Sequence, residues 1–268
     1  MIATAAPVYT LGRTKDPWYE RHFRLVFGLV TLLIVIGAWQ LCADLNVLSP
    51  GFISSPSRIA VAEYHYFVNG NGVSDIAVTG TEFGLGLAIS IVIGVPLGLL
   101  MGYYPVVNAL CEPMITLLYA TPFIALAPLF VVWFGVGIVS KLALVLLAIL
   151  PITIATSGGV RTVENSLIDV ARVYRASTFQ IMRTLILPGT IPSIVAGIRL
   201  GTGFALLGAI TAELIASTHG VGYFIGYAGL SFLTDDLFAG VVLVMVAGLV
   251  FASLLRMLEH RVDRWRLP

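Results

Sequence analysis

Long apolar runs without a single charge are the feature that most limits what this chain can fold into. Only 11% of its 268 residues are charged and 58% are hydrophobic, whereas soluble domains carry roughly a quarter charged residues. Each run approaches or exceeds the roughly 20 residues that a helix needs to cross a bilayer. The runs are Leu25 to Ala43, Phe83 to Cys111, Pro113 to Ser140, Leu142 to Val160 and Leu237 to Leu255. They predict an all-α integral membrane protein.

A sixth apolar stretch, Pro192 to Ala216, contains two charged residues, Arg199 and Glu213. A charge near the bilayer centre costs about 2.5–3.5 kcal/mol, so both are expected to face protein or water. A helix places them about 21 Å apart, toward opposite membrane faces. The sequence thus predicts six transmembrane helices. The candidates for lining a translocation path are Arg199 and Glu213, with Thr121, Trp133 and Thr211 as polar or amphipathic groups in apolar segments.

The distribution of positive charge predicts the orientation of the chain. Four Lys or Arg residues precede the first span, four lie between residues 161 and 183, and four follow the last span, whereas the opposite loops hold only Arg58 and Lys141. Because positive loops stay inside, both termini and the 161–183 segment are expected in the cytoplasm. This gives a cytoplasmic arm (1–24), one transmembrane domain (25–258) and a cytoplasmic tail (259–268). The basic residues do not cluster on one face, as binding to a nucleic acid would require, so no nucleic-acid partner is expected.

The polar segment 161–188, called here the 161–188 loop, has the pattern of two short helices. One stripe recurs at helical spacing, formed by Val163, Leu167, Val170 and Tyr174. Ser177 can cap a second helix, which Pro188 is expected to stop or bend. A helix–turn–helix with an apolar stripe is typical of a docking surface. A helix lying in the lipid headgroups is the alternative.

The same loop resembles the cytoplasmic "EAA" loop of ABC importer permeases, where E-A-A is followed by three residues, Gly, nine residues and I-x-L-P. Asp169 stands for Glu, Leu185 for Ile, and Arg175 where the family usually has Gly. Glycine permits a positive φ or a close backbone approach, and an arginine resists both. The resemblance implies an ATPase-contacting surface that comprises Asp169, Val170, Ala171, Arg175, Ala176, Ser177, Leu187 and Pro188, with Arg175 at its edge.

Two further segments, 118–135 and 212–223, resemble the nitrate, taurine and aliphatic-sulfonate branch of this family, and the resemblance extends from about Trp39 to Arg264. It implies a type I ABC importer fold in a bacterial inner membrane. Two copies, as a homodimer, would form the pore and bind two ATPase subunits, which hold the ATP and Mg. An external substrate-binding protein would deliver a small anion such as a sulfonate, taurine or nitrate. Similar permeases carry pyrimidine-like vitamin precursors or aromatic acids.

The sequence contains no recognised motif for metal binding or for binding the phosphates of ATP. The histidines are scattered, so no helical H-E-x-x-H pair can hold a metal, and no G-x-x-x-x-G-K-[ST] loop binds phosphates. The chain is therefore expected to be no enzyme and to hold no cofactor. Two alternatives stay open. An intramembrane enzyme would need paired acids or histidines inside a span, and an ion-coupled secondary transporter would need a charged relay or inverted repeats.

Glycine spacing predicts how the spans pack. Gly94, Gly98 and Gly102 recur every four residues, and Gly197 and Gly201 repeat the step, which allows close approach of helices. Outside the spans, the loop from Asn46 to Thr79 is expected to hold a short helix that starts after Ser54-Ser55. Together with the loop 217–236 it is the expected landing surface for the binding protein. Ordinary connections between spans are the alternative.

Overall fold

The computed structural model describes residues 18–263 except Asn46, Leu48 and Pro50, and all regular structure among them is helical. Most of the predicted N-terminal arm and the end of the predicted tail lie outside the described residues. The first helices are α1 (Trp18–Asp44), α2 (Pro56–Val68), α3 (Gly72–Tyr103), α4 (Pro105–Ala120), α5 (Phe123–Phe134) and α6 (Ile138–Val145). Next come α7 (Ile149–Arg161), α8 (Asn165–Val173), α9 (Thr178–Ile181), α10 (Leu187–Ala216), α11 (Val221–Leu230) and α12 (Thr234–Asp263). The all-α prediction is confirmed.

The chain divides into two compact units, residues 1–57 and 58–268. In the first unit, the indole N–H of Trp39 donates to the Ser54 carbonyl over 2.9 Å. The Ser57 N–H donates to the side chain of Gln40 over 3.1 Å. These bonds fold the segment after α1 back along the end of that helix. The second unit contains the sites described below.

Five helical segments among the described residues are long and apolar enough to cross a membrane, and α4 with α5 forms a pair bent by 110° that gives six if counted as one span. The five are Val26–Asp44, Gly72–Tyr103, Ile138–Arg161, Thr178–Ala216 and Thr234–Met257. The predicted bounds Phe83–Cys111 and Pro113–Ser140 are wrong. The chain breaks at Tyr104, which is extended because proline disfavours helical geometry in the residue before it. No charge marks that break.

Helix α7 lies between α3 and α10, and glycines on both neighbours make room for it. A Cβ atom at Gly98 would lie 2.6 Å from Thr156 Cβ, and one at Gly201 would lie 2.7 Å from Ile152 Cγ1. Ile152 is completely buried and also contacts Gly94 and Gly197. The predicted close packing at these glycines is confirmed.

The predicted loop from Asn46 to Thr79 is only partly a loop. Helix α2 does begin directly after Ser54-Ser55, as expected. However, α3 begins at Gly72, seven residues before the predicted end of the loop. Its first turns are polar because Asp75, Thr79 and Glu82, at i, i+4 and i+7, share one buried face. This polarity serves contacts inside the protein rather than exposure to water.

Candidate functional site

The 161–188 loop buries one side of its helices and exposes the other. Ile168, Ala171 and Ala176 pack on a buried cluster formed by Val160, Ile181 and Ile186. The opposite side forms an exposed apolar patch of five side chains, the "docking patch". Its members are Leu167 (50% exposed), Val170 (54%), Val173 (80%), Tyr174 (82%) and Phe179 (73%). Most of the predicted stripe thus faces outward, on a loop whose own core packs against α7 and against Leu99 and Tyr103 of α3.

Helix α8 ends in a Schellman motif. The Ala176 N–H donates to the Ala171 carbonyl over 3.0 Å, and the Arg175 N–H donates to the Arg172 carbonyl over 2.9 Å. This pattern requires left-handed backbone at Arg175, where φ is 60°. The left-handed region costs a non-glycine residue about 1–2 kcal/mol. The glycine that is usual at this position in the EAA loop thus has a geometric reason, and Arg175 adopts the same strained conformation.

The second helix of the loop begins with a capping box, which confirms the predicted cap. Ser177 Oγ accepts the Gln180 N–H over 3.3 Å, and Gln180 Oε1 accepts the Ser177 N–H over 2.7 Å. Helix α9 then continues through a π-helical segment, Met182–Ile186, into α10. Of the two outcomes predicted for Pro188, a stop does not occur: the helix continues past it, Pro188 lies in the first turn of α10, and the irregular π-helical segment directly precedes that turn.

The charges of the loop are unevenly paired. The loop carries four arginines against two carboxylates, Glu164 and Asp169. Arg172 Nη1 lies 3.4 Å from Asp169 Oδ1 on the exposed side of α8. Arg161 donates to Asn108 Oδ1 on α4 over 2.6 Å. Arg175 and Arg183 are exposed and form no ion pair with any other residue that the structure describes. The surface of the loop is therefore apolar at its centre and positive at its edge.

A buried polar cluster lies at the opposite end of α10, around Glu213, which is 0% exposed. Glu213 Oε1 accepts the Thr79 hydroxyl and Oε2 accepts the Gly222 N–H, each over 2.7 Å. The Val221 N–H donates to Thr79 Oγ1 over 3.0 Å. Gly220, with φ of 109°, leaves no room for a Cβ beside the Glu213 carboxylate. Glu213 therefore joins α3 and α10 to the start of α11.

Two further groups extend this cluster. Asp75 accepts the Gly220 N–H over 2.8 Å and the Tyr66 hydroxyl over 2.7 Å. Burial, together with the hydrogen bond to Asp75, raises the pKa of Tyr66, so its hydroxyl remains a donor at neutral pH. Lys141 Nζ lies 2.7 Å from Glu82 Oε1 and donates to Ser217 Oγ over 2.7 Å. The sequence placed Lys141 in a loop, whereas the structure buries it on α6.

The five path candidates from the sequence do not lie together. Glu213 and Thr211 are buried, at 0% and 7% exposure. Arg199 is exposed on α10, and Trp133, at the end of α5, is 62% exposed. Thr121 lies at the break between α4 and α5, where its hydroxyl donates to the Leu117 carbonyl over 2.8 Å. The described residues contain no group of three or more His, Cys, Asp or Glu side chains that could hold a metal.

Sequence reasoning missed Glu112, which is exposed in the middle of the apolar helix α4. Asn108 donates to its Oε2 over 2.5 Å. Glu112 and Thr116 line an open groove of about 480 Å³. In the sequence, Glu112 stands between two charge-free runs and looks like a boundary between spans. The signal was available in the recurrence of Asn108, Glu112 and Thr116 at i, i+4 and i+8, which puts three polar groups on one face.

The chain is similar in sequence to several transport permeases. The chain is 33% identical over 256 residues to the putative aliphatic sulfonates transport permease protein SsuC of Bacillus subtilis, covering 95% of this chain and 90% of that protein. It is 32% identical over 260 residues to the taurine transport system permease protein TauC of Escherichia coli, covering 94% of each. The formylaminopyrimidine transport permease protein ThiX of Halalkalibacterium halodurans is 28% identical over 92% of this chain and 98% of its own length.

The fold also matches a solved structure. A chain of the MetNI methionine ABC transporter in an inward-facing conformation superposes with a TM-score of 0.60 at 19% identity, over 73% of this chain and 96% of its own. Residues 94–264 match the family model for the binding-protein-dependent transport system inner membrane component. The matched region includes the 161–188 loop and Glu213. The chain therefore belongs to the family of inner membrane components of binding-protein-dependent transport systems.

Proposed function

We propose that this chain is the pore-forming permease subunit of an ATP-driven importer, and that its cargo is a small sulfonate such as taurine or an alkanesulfonate. The observation that carries the proposal is the docking patch, five exposed apolar side chains on a loop of otherwise polar surface. Such a patch favours a protein partner. The names of SsuC and TauC support the cargo class.

The partner that fits this patch is an ATPase subunit that binds and hydrolyses ATP outside this chain. Helix α8 and the Ser177 cap fix the patch on a rigid turn, so that force applied there moves the loop as a unit. From Thr178 the helical segment runs 39 residues to Ala216, which is about 58 Å at 1.5 Å per residue. Closure of the ATPases would thus be transmitted along α10.

The buried polar cluster connects the far end of α10 to the neighbouring helices. Glu213 lies near the end of α10 and binds both Thr79 of α3 and the first turn of α11. Movement of α10 therefore carries α3 and α11 with it, instead of being lost in a flexible joint. This coupled movement is the alternation of access that the pore requires.

The remaining parts of the assembly follow from the same proposal. Two copies of this chain form the pore as a homodimer, and each binds one ATPase subunit. The termini and the 161–188 loop face the cytoplasm of a bacterium, and the chain spans its inner membrane. An external binding protein docks on α2 and on residues 217–233, at the opposite end of the helices.

For the translocation path we propose the separate surfaces that carry Arg199 on α10, Trp133 on α5, and Glu112 with Thr121 on and directly after α4. Exposed charges on apolar helices are costly in lipid, so Glu112 and Arg199 should face water or the second copy. Glu213 contributes to the wall of the path by holding α10 against α3 and α11, and the buried Thr211 lies two residues before it on α10. The sulfonate group of the cargo would be attracted by Arg199.

A second cargo class has one specific observation in its favour. ThiX, whose name states transport of a formylaminopyrimidine, matches nearly the whole chain. Its identity of 28% is lower than the 33% and 32% of SsuC and TauC. The sulfonate class is therefore preferred, and uptake measurements with both compounds separate the two.

The proposal is tested by purifying the chain from native membranes in mild detergent and identifying by mass spectrometry what accompanies it. An ATPase subunit and ATPase activity are expected in the wild-type sample. Val170→Asp, which places a charge in the docking patch, should lose both, while Ser166→Ala, on the same helix outside the patch, should keep them. Ala176→Glu is less informative because Ala176 packs inside the loop. An ATPase retained at full level by Val170→Asp would contradict the docking proposal.

A further inference from the structure

Arg175 combines a strained backbone with a free charge at the edge of the docking patch. Its φ of 60° makes it one of two non-glycine residues with positive φ among those that the structure describes. A glycine there would complete the same Schellman hydrogen bonds without strain. A strained backbone persists where the surrounding structure fixes it, and such residues cluster at binding sites and switch regions.

Among the residues that the structure describes, none forms an ion pair with Arg175. The neighbouring Arg172 pairs with Asp169, which is thereby occupied. The guanidinium of Arg175 has no ion pair to any other described residue and is exposed beside Tyr174, the most exposed member of the docking patch. Any partner that covers Tyr174 thus comes close to this guanidinium.

We infer that Arg175 is a partner-selecting contact, which binds an acidic side chain on the rim of the ATPase surface that covers the docking patch. This inference rests on the proposed function. Arginine suits the task because its planar group holds a carboxylate by two parallel hydrogen bonds, which lysine cannot do. The left-handed turn would direct the side chain away from the core of the loop and toward the partner. The contact with the partner then offsets the cost of the strained backbone.

The inference makes two predictions of opposite sign for Arg175→Gly. Relief of the strain should raise the melting temperature of the detergent-purified chain by about 2 °C. Loss of the contact should weaken the affinity for the purified ATPase by about 5-fold, the effect of a surface ion pair near the upper end of its usual range. The affinity should also depend less on salt, because one screened charge pair is gone. Arg175→Lys should leave the melting temperature unchanged and lose only part of the affinity.

Val170→Asp separates this inference from the proposed function. If Val170→Asp abolishes ATPase binding while Arg175→Gly binds like the wild type with the same salt dependence, the docking proposal stands and the role of Arg175 is refuted. If Val170→Asp binds normally, both are refuted. A melting temperature that falls in Arg175→Gly would overturn the strain argument. The expected pattern is a more stable chain that binds its ATPase less tightly.

Discussion

Replacing Gly98 by alanine tests the packing on which the transmembrane bundle depends. The added Cβ would lie 2.6 Å from Thr156 Cβ and 2.7 Å from the Thr153 carbonyl oxygen. Non-bonded carbon atoms prefer about 3.5–4.0 Å, so α3 and α7 must move apart by about 1 Å. Part of this contact is backbone, which cannot rotate away. We therefore expect overpacking to lower the free energy of unfolding by about 1–3 kcal/mol.

The separation of the helices has a second cost. Thr153 Oγ1 donates to the Gly94 carbonyl across the same interface, over 3.2 Å. Losing this bond costs about 0.5–1.5 kcal/mol. Together the two costs are about 1.5–4.5 kcal/mol, and alanine's higher helix propensity offsets up to about 1 kcal/mol of this.

Gly84→Ala is the matched control, because Gly84 lies on the same helix with nothing within 4 Å of its added Cβ. It gains the same helix propensity without a clash, so the difference between the two variants isolates the packing term. In thermal unfolding of the detergent-purified chains, Gly98→Ala should melt about 5–10 °C below Gly84→Ala. Equal melting temperatures would refute the close packing of α3 on α7.

Three further predictions use the same unfolding assay. Lys141→Met should destabilise the chain by about 3–5 kcal/mol, because Glu82 is left buried without its cation. The double variant Lys141→Met/Glu82→Leu should recover most of this loss of stability. A double variant that is no more stable than Lys141→Met would contradict a buried ion pair. Gly220→Ala should destabilise strongly, since its φ of 109° and the Glu213 carboxylate both exclude a Cβ. Gly158→Ala, inside α7 with nothing within 4 Å, should not destabilise the chain. A Gly220→Ala variant as stable as the wild type would contradict the geometry of the cluster. Ile152→Ala should lower the free energy of unfolding by about 2–5 kcal/mol, because it leaves a cavity between three glycines. A decrease of less than about 1 kcal/mol would contradict a rigid interface and show that α3 and α10 collapse onto α7.

Local patterns were enough to predict much of this fold. Charge-free runs located most of the apolar helices, since length and apolarity alone decide whether a helix can span lipid. The four-residue glycine spacing predicted a helix interface because it places Gly94, Gly98 and Gly102 on one face. Ser177 predicted the start of α9, and the structure adds Gln180 as the second half of a capping box.

Tertiary contacts could not be predicted in this way. Glu213 binds Thr79, which is 134 residues away, and Lys141 binds Glu82, which is 59 residues away. In a single sequence, such residues look like loop markers or isolated charges, so Lys141 was assigned to a loop and Glu213 to the path. The break at Tyr104 was missed for a related reason, because it interrupts an apolar run at a proline without any polar residue. Its cause is backbone geometry, which hydropathy does not record.

At Arg175 the structure explains an expectation that came from the sequence. The EAA-like spacing indicated that a glycine was expected there, and the hydrogen bonds of Ala176 and Arg175 show that the reason is the left-handed end of α8. The departure from glycine is thus a local strain that leaves the fold of the loop unchanged. Its consequences are expected in the assembly with the ATPase.

The most direct test of the whole account is uptake of radiolabelled taurine into proteoliposomes that contain the chain, its co-purified ATPase and its binding protein. We predict uptake that requires ATP on the side of the 161–188 loop and the binding protein on the opposite side, and that Val170→Asp abolishes while Ser166→Ala preserves. Uptake by the chain alone, driven by an ion gradient and indifferent to ATP, would contradict the account and establish a secondary transporter.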